Sequence, residues 1–585
     1  MLIANEHYVR VAQAADVHAA SRLVVHAQGQ AIILVSSRGK IYALDNRCPH
    51  MGFPLHQGSV QDCILTCHWH HARFDITSGG TFDLWADDVR AFPVQLRDGE
   101  VWVDLTPRLD QLSYQHQRLI VGVEQNISLV IAKSVIAMLS QAEEATEAFR
   151  IGLDFGVHYR QQGWGAGLTI STCMMNLLPY LDAADRPLAL YHGLSAVARD
   201  CAGAPPWFAI EPLPVTSEQT DNDKIEVLQG WFRQFIEVRD AQGAQRCLIS
   251  AVLTGAKPEQ IAEMLFTAAT DHRYIDIGHA LDFTNKALEA LDATGWQNAE
   301  AVLASLVKGY ASASRMEESN AWRYPIDLVA IVEDAFSKLE AALEEGRNKS
   351  CTWTEREQII PVLLGEDPQA IANALLDALT QGCTPEELAA TVAYAGALRI
   401  AQFHTNNDFR DWDTAHHTFT FANAVHQGLR RINSRNLLRG VFDAAMSVYL
   451  DRFLNIPPAR LPAPESTVEN PEQLLLQLPA LLNQQQQVFQ ASKLVASYLY
   501  SGGNPQKLLA VLGKLLLRED RDFHTIQEIE AAFRQYTLLK DASARVNVLV
   551  AATRYLAAHA PTMRSQGQTY QMAYRLHKGD RLFEE

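Results

Sequence analysis

Two short Cys/His segments near the start of the chain constrain its fold more than any other feature. The first is Cys48-Pro-His50 and the second is Cys67-His-Trp-His70, with sixteen residues between His50 and Cys67. Thiolates and imidazoles are metal ligands, and two of each can close a tetrahedral zinc site or hold the two irons of an iron–sulfur cluster. The residues around the two segments decide between these alternatives.

Short β-strands separated by turn signals are predicted from Tyr8 to Leu105. For example, the apolar segments 94–97 and 101–105 flank Asp98-Gly99, a dipeptide typical of β-hairpin turns. Zinc fingers do not surround a Cys-x-His segment with strands in this pattern. Residues 1–106 are therefore predicted to form a small antiparallel all-β domain.

Residues 5–106 resemble Rieske proteins, both in the two Cys/His segments and in the Ala-Arg-Phe-Asp and Gly-Gly that follow the second one. The resemblance implies a [2Fe–2S] cluster whose ligands are Cys48, His50, Cys67 and His70. In that arrangement two thiolates hold one iron and two neutral imidazoles hold the other, which raises the reduction potential above that of an all-cysteine cluster. The implied role is that of an electron carrier.

Several positions near the ligands depart from the high-potential members of that family. Where those members carry an extra pair of cysteines, this chain has Phe53 and Trp69, and where they carry Ser and Tyr hydroxyls, it has Ala72 and Phe74. Hydroxyl donors to the cluster stabilise its reduced form. We therefore expect a potential toward the lower end of the family's span of about −150 to +300 mV. His71 replaces the usual Gly after the last ligand, and either strains the loop or adds a titratable neighbour.

The composition and the apolar spacing of the remainder of the chain are typical of α-helices. After a linker at 107–119, residues 120–585 are rich in Ala, Leu, Gln and Glu, with apolar residues at three- and four-residue spacing. We predict a large all-α region with internal repeats. Two places where it could divide are the neighbourhood of residue 350 and the Pro-rich connection 457–472.

A repeated Gly-x-x-Pro motif marks three helix starts in this region. The copies begin at Gly255, Gly382 and Gly502, each placing Gly where a helix stops and Pro where the next begins. Each copy is followed by a histidine, and a degenerate first copy supplies a fourth. These candidate catalytic residues are His192, His279, His417 and His524.

Two interpretations of the repeated histidines remain open. They line a pocket for a second metal, a cofactor or a substrate, as ligands in helical bundles project inward from several helices. His524 also lies four residues before Glu528, so the two share a helical face. Alternatively, the histidines are core residues that hydrogen-bond a neighbouring helix, with Asn285 and Asn423 as partners.

Two family resemblances bear on the helical region. Asp413-Thr-Ala-His416-His417 resembles the two-histidine, one-carboxylate iron site of ring-hydroxylating oxygenases. The catalytic domain of those enzymes is a twisted sheet, however, which the helical texture excludes. The Gly-x-x-Pro-Glu segments and following histidines across 150–560 are similar to the questin oxidase-like family, which implies an all-helical fold and oxygenative cleavage of aromatic polyketide rings.

Two principal functions follow. In the first, the cluster takes electrons from a reductase and passes them to an oxidase or oxygenase centre in the helical region, whose substrate is an apolar or aromatic small molecule. In the second, a ferredoxin-like carrier is fused to a non-catalytic helical docking scaffold. A redox-sensing role is a third possibility, which no sequence feature favours.

Charge, hydropathy and cysteine content restrict the partners and the cellular location that we expect for this chain. A formal net charge of −17 disfavours nucleic-acid partners, because phosphate binding relies on Lys and Arg. The longest apolar stretch, Leu119 to Leu139, is interrupted by polar residues, so no membrane span is predicted. The first residues lack the pattern of a secretory signal, and eight cysteines in 585 residues do not suggest a disulfide framework. We expect a cytoplasmic protein.

Overall fold

The chain separates into two units of different secondary structure. A computed structural model describes residues 7–106, 111–141, 143–214, 221–347, 349, 356–464 and 470–580. The first unit comprises Met1–Glu144 with Gln568–Glu585, and the second comprises Ala145–Gly567. The predicted order, a small antiparallel β domain followed by a large helical region, is confirmed.

The β domain contains three antiparallel sheets. Their strand orders are β1-β10-β9, β2-β3-β4-β8 and β5-β6-β7. The strands are β1 (Tyr8–Gln13), β2 (Arg22–Ala27), β3 (Gln30–Ser37), β4 (Lys40–Asp45), β5 (Ser59–Gln61), β6 (Ile64–Thr66), β7 (Arg73–Asp75), β8 (Ala91–Phe92), β9 (Val94–Arg97) and β10 (Glu100–Asp104).

Strand β3 separates two small cores because side chains alternate between the faces of a strand. Ile33 and Val35 pack on one side, in the core that also contains Cys48 and Cys67. Ile32 and its alternate neighbours pack on the other side, against β1 and β10. The thiols of the two predicted metal-binding segments are therefore anchored in a hydrophobic core.

Helices make up most of the rest. In chain order the α-helices of the described residues are α1 (Ala14–Ala20), α2 (Gln111–Glu124), α3 (Ser128–Ser140), α4 (Ala145–Tyr159), α5 (Ala166–Leu177), α6 (Arg186–Asp200), α7 (Asp221–Glu237), α8 (Ala241–Leu253), α9 (Pro258–Thr270), α10 (His279–Thr294), α11 (Ala299–Ser312), α12 (Asn320–Arg323), α13 (Leu328–Arg347), α14 (Arg356–Leu363), α15 (Pro368–Thr380), α16 (Pro385–Ala401), α17 (Phe409–Arg431), α18 (Arg435–Leu450), α19 (Pro471–Leu481), α20 (Val488–Tyr500), α21 (Pro505–Leu517), α22 (Phe523–Leu538), α23 (Ala542–Ala558) and α24 (Ser565–His577).

The domain boundaries differ from those predicted. Residues 107–110 lie outside the described residues, but the rest of the expected linker at 107–119 is the start of α2. Its Leu119 and Val123, four residues apart, are fully buried, so helical spacing begins before residue 120. Helices α2 and α3 belong to the same unit as the β domain, and the described residues between 145 and 567, on both sides of residue 350 and of the Pro-rich connection, belong to one unit. Residues 350–355 and 465–469 lie outside the described residues.

The repeated Gly-x-x-Pro motif is confirmed as a helix boundary. Helices α9, α16 and α21 begin at the three prolines. The preceding Gly255, Gly382 and Gly502 have φ angles of +88°, +97° and +79°, which glycine adopts without steric cost. Among the described helices, none combines the length and apolar character needed to cross a membrane.

Candidate metal centres

The two predicted cluster-binding segments form tight loops in the β domain. The Cys48 loop follows β4, and the Cys67 loop joins β6 to β7. The Cys48 amide donates to the Phe53 carbonyl at 2.8 Å, and the Cys67 amide donates to the Ala72 carbonyl at 2.8 Å. These bonds close each loop around its cysteine.

The two thiols meet at the base of these loops. Cys48 and Cys67 are 3% and 1% exposed, and their side chains hydrogen-bond each other. In each loop, the backbone amides two and three residues after the cysteine donate to its sulfur. The hydrogen bond from Cys48 lowers the pKa of the Cys67 thiol to about 6. Sulfurs that receive amide hydrogen bonds suit the thiolate ligands of an iron–sulfur cluster.

The two predicted imidazole ligands lie beside the thiols. The ring centroids of His50 and His70 are 4.8 Å apart, and Trp85 packs edge-on against His50 at 4.7 Å. Burial and the neighbouring Lys133 lower the pKa of His50 to about 4, which keeps this imidazole neutral. His70 is exposed. Two buried thiols and two adjacent imidazoles on facing loops fit a [2Fe–2S] cluster with mixed ligands.

An aromatic stack links the two loops. The rings of Phe53 and Trp69 are parallel within 16°, with centroids 5.8 Å apart. Next to the last predicted ligand, His71 has a φ angle of +65°, which residues with a Cβ adopt at a cost of about 1 kcal/mol or more. His71 thus occupies a left-handed position that favours glycine.

In the helical unit, three of the four predicted histidines come together. His279 is the first residue of α10, His417 lies in α17 and His524 lies in the first turn of α22. One ligand atom of each lies within 4.8 Å of those of the other two. The Nε2 atoms of His417 and His524 are 3.1 Å apart. We call these three residues the histidine triad.

Local sequence explains this convergence. Gly278, with a φ angle of +97°, precedes α10, and a Cβ on it would lie 2.9 Å from the Cβ of Phe421 in α17. The absence of a side chain there lets the start of α10 approach α17. The Asp522 side chain caps α22 by accepting from the Thr525 amide at 2.8 Å, which places His524 in the first turn.

The electrostatics of the triad suit a divalent metal. Burial lowers the pKa of His279 to about 4 and that of His417 to about 3, and repulsion within the triad adds to the shift. Both imidazoles are therefore neutral at neutral pH. Three imidazoles can hold Zn²⁺, iron or copper and leave other coordination positions open for a small molecule.

Further polar groups surround the triad. The Nδ1 atom of His524 lies 3.7 Å from an oxygen of Asp413, and the Tyr555 hydroxyl donates to Asp413 at 2.8 Å. Metal-bound histidines commonly have a carboxylate at their second nitrogen. His416 Nδ1 is 3.0 Å from the Glu528 carboxyl, and burial raises the pKa of that carboxyl while it lowers the pKa of the imidazole.

Sequence reasoning anticipated some of these neighbours. Asp413 and His416 belong to the segment that resembles an oxygenase iron site, and Glu528 follows His524 by one helical turn. In the structure, His417 is the residue of that segment that belongs to the triad. Asp413 lies outside the triad, near the Nδ1 atom of His524. No sequence signal pointed to Tyr555, which comes from α23.

The fourth histidine lies apart from the triad. His192 is buried in α6, with its Nε2 atom 3.1 Å from the Leu517 carbonyl oxygen. The asparagines proposed as histidine partners also bond elsewhere. Asn285 donates to Glu289 at 2.9 Å, and Asn423 accepts from Gln535 at 2.8 Å. The interpretation in which Asn285 and Asn423 anchor the triad is therefore not supported.

Comparisons with known proteins identify the first segment. A model of the Rieske [2Fe-2S] domain matches residues 7–93. The human protein apoptosis-inducing factor 3 is 26% identical over 157 residues, which span 27% of this chain and 24% of that protein. The chain thus covers about a quarter of the length of this relative.

Smaller proteins match over most of their length. The ferredoxin component of the naphthalene 1,2-dioxygenase system of Pseudomonas putida is 25% identical over 100 residues, covering 17% of this chain and 96% of that protein. Among solved structures, the ferredoxin of carbazole 1,9a-dioxygenase from Nocardioides aromaticivorans IC177 has 25% identity, with a TM-score of 0.17, over 17% of this chain and 100% of that one. The family match ends at residue 93, so the resemblance of the helical region to questin oxidase-like proteins stays a prediction.

Proposed function

We propose that this chain, whose residues 7–93 are a Rieske [2Fe–2S] domain with an electron-transfer role, delivers electrons to an oxidase or oxygenase centre in its own helical unit. The acceptor is a metal ion, most simply iron, held by His279, His417 and His524. The cluster is held by Cys48, His50, Cys67 and His70.

The observation that supports this proposal best is the convergence of the triad. Three helices distant in sequence place three imidazole nitrogens within 4.8 Å of one another. Burial lowers the pKa values of His279 and His417, so both rings are neutral at neutral pH, which is the state in which an imidazole binds a metal ion. An oxygen of Asp413 lies 3.7 Å from Nδ1 of the third ring, His524, on the side where metal-bound histidines commonly have a carboxylate.

The chemistry assigned to the two centres balances as follows. A reductase supplies two electrons, which pass through the cluster one at a time. With dioxygen as oxidant, a substrate R–H, two electrons and two protons give R–OH and one water. Covalent linkage of donor and acceptor raises their effective concentration, so transfer within the chain does not wait for collision. A metal ion held by His279, His417 and His524 would supply the site at which dioxygen is reduced.

Aromatic side chains beside the triad suit an apolar or aromatic substrate. Phe283 stacks on His279 with centroids 5.3 Å apart, and Phe523 lies 5.7 Å from the same ring. The two phenyl rings pack against each other at 5.9 Å. An aromatic ligand at the triad would find edge and face contacts there.

The decisive experiment is metal and sulfide analysis of anaerobically purified protein, compared across matched variants. The intact chain should contain two sulfides and more than two metal ions. His417→Ala should lose the additional metal but keep the cluster spectrum, and Cys67→Ser should lose the cluster but keep the additional metal. His192→Ala is the control, because it removes a buried histidine of the same unit that lies outside the triad.

A kinetic measurement complements the analysis. Chemically reduced protein is mixed with dioxygen, and reoxidation of the cluster is followed in the visible spectrum. His417→Ala should reoxidise more slowly than the His192→Ala control. A content of two irons and two sulfides with no other metal, together with unchanged reoxidation in His417→Ala, would contradict the proposal. That result would favour a ferredoxin-like carrier fused to a helical docking scaffold.

A further inference from the structure

A lysine from outside the matched Rieske segment touches the cluster-binding loop. Lys133 lies in α3, within the same unit as the β domain. Its Nζ atom donates to the backbone carbonyl of the ligand His50 at 2.9 Å, and also to the carbonyl of Pro49. The side chain is only 15% exposed. A single ammonium group therefore bonds two consecutive carbonyls of the loop that carries Cys48 and His50.

Lys133 shares its carboxylate partner, Asp87, with a second cation. Asp87 lies 3.0 Å from Lys133 and accepts from Arg118 Nε at 2.9 Å. Burial would raise the pKa of Asp87, but the two cations outweigh it and lower that pKa. Among these direct contacts, one carboxylate thus faces two cations. The next carboxylate along the chain, Asp88, is directed to the Thr81 amide at 2.8 Å.

We propose that Lys133 is a positioning residue that raises the reduction potential of the cluster. Reduction adds one negative charge to the cluster, and a nearby, mostly buried positive charge stabilises that state more than the oxidised one. The same ammonium holds the His50 loop by two hydrogen bonds. Lys133 therefore opposes the low potential expected from Ala72 and Phe74, which lack the hydroxyls of high-potential relatives.

The test is anaerobic redox titration of the full chain, followed by electron paramagnetic resonance. Lys133→Met should shift the equilibrium between oxidised and reduced cluster at least about tenfold toward the oxidised form, a midpoint lower by about 59 mV for one electron. Lys133→Gln keeps a donor for the carbonyls without the charge, and should lower the midpoint in the same direction. Lys40→Met removes an exposed lysine from the same unit, and should leave the midpoint unchanged.

A variant of opposite sign completes the test. Asp87→Asn removes the negative charge but leaves Lys133 and Arg118 in place, so the midpoint should rise. If Lys133→Met fails to retain the cluster, the direction in which Asp87→Asn shifts the midpoint potential tests the proposal instead. Unchanged midpoints in the Lys133 variants with an intact cluster, or a midpoint in Asp87→Asn that does not rise, would overturn the proposal.

Discussion

A buried ion cluster between α10 and α22 should make Lys286 one of the most sensitive positions of the helical unit. The Lys286 ammonium is 2.6 Å from Glu530 and 3.1 Å from Glu289. Arg534 bonds the same two carboxylates, at 3.0 and 3.1 Å. The Lys286 side chain is 1% exposed and its two partners are at most 9% exposed. Two cations and two carboxylates thus balance in a mostly buried cluster.

The magnitude follows from these contacts. Burial would raise the pKa of Glu289, but Arg534 and Lys286 outweigh it and hold that pKa at about 2 against an ordinary value of 4.5. This difference corresponds to about 3 kcal/mol of stabilisation at neutral pH, which is lost as the pH falls from about 4.5 toward 2. Removal of one partner of a buried ion pair typically costs about 3–5 kcal/mol. We expect Lys286→Met to lower the free energy of unfolding by about 3 kcal/mol.

The assay is urea denaturation at pH 7, followed by far-ultraviolet circular dichroism, which reports mainly on the helical unit. Lys286→Met combined with Glu530→Gln restores charge balance, and should recover more than half of the loss. Lys338→Met removes an exposed cation that pairs with Asp334 on one helix, and should cost about 0.5 kcal/mol or less. A loss below about 1 kcal/mol in Lys286→Met, or a double variant weaker than the single one, would refute the reasoning.

Three further predictions follow from individual contacts. His71→Gly should stabilise the β domain by about 1 kcal/mol, because φ at this position is +65° and glycine adopts that angle without strain. Thermal unfolding measures the gain, and His71→Ala, which keeps a Cβ, should not show it. Burial raises the pKa of Asp282 to about 7, so the native state retains a proton that the unfolded state loses, and the free energy of unfolding falls as the pH rises from about 4 to 7. Asp282→Asn should remove this decline. If the urea midpoint of Asp282→Asn differs from that of the wild type by the same amount at pH 5 and at pH 8, the prediction is wrong. Phe53→Ala should accelerate loss of the cluster's visible absorbance in air, because it removes the stack with Trp69 that links the two loops, whereas Phe82→Ala, at a 56% exposed position, should not.

The sequence by itself determined the parts of this protein that depend on local chemistry. Cys48, His50, Cys67 and His70 were predicted as cluster ligands from their residue types, their spacing and the family resemblance that these carry, because a cluster site repeats the same loop around each pair of ligands. Strands and helices followed from their periods of two and about 3.6 residues. The starts of α9, α16 and α21 followed from Pro and Gly, which act through their own backbone geometry.

Only the tertiary structure decided which distant residues meet. The repeated motif pointed to four candidate histidines. Three of them lie together in the folded protein, whereas His192 contacts the Leu517 carbonyl instead. The close approach at Gly278 depends on where α17 lies, which the sequence of α10 does not encode. Lys133 is a second example. The helical pattern predicts that it lies in a helix, but not that this helix packs against the loop of His50. Side-chain periodicity fixes the face of an element, whereas its partner depends on how all the faces pack together.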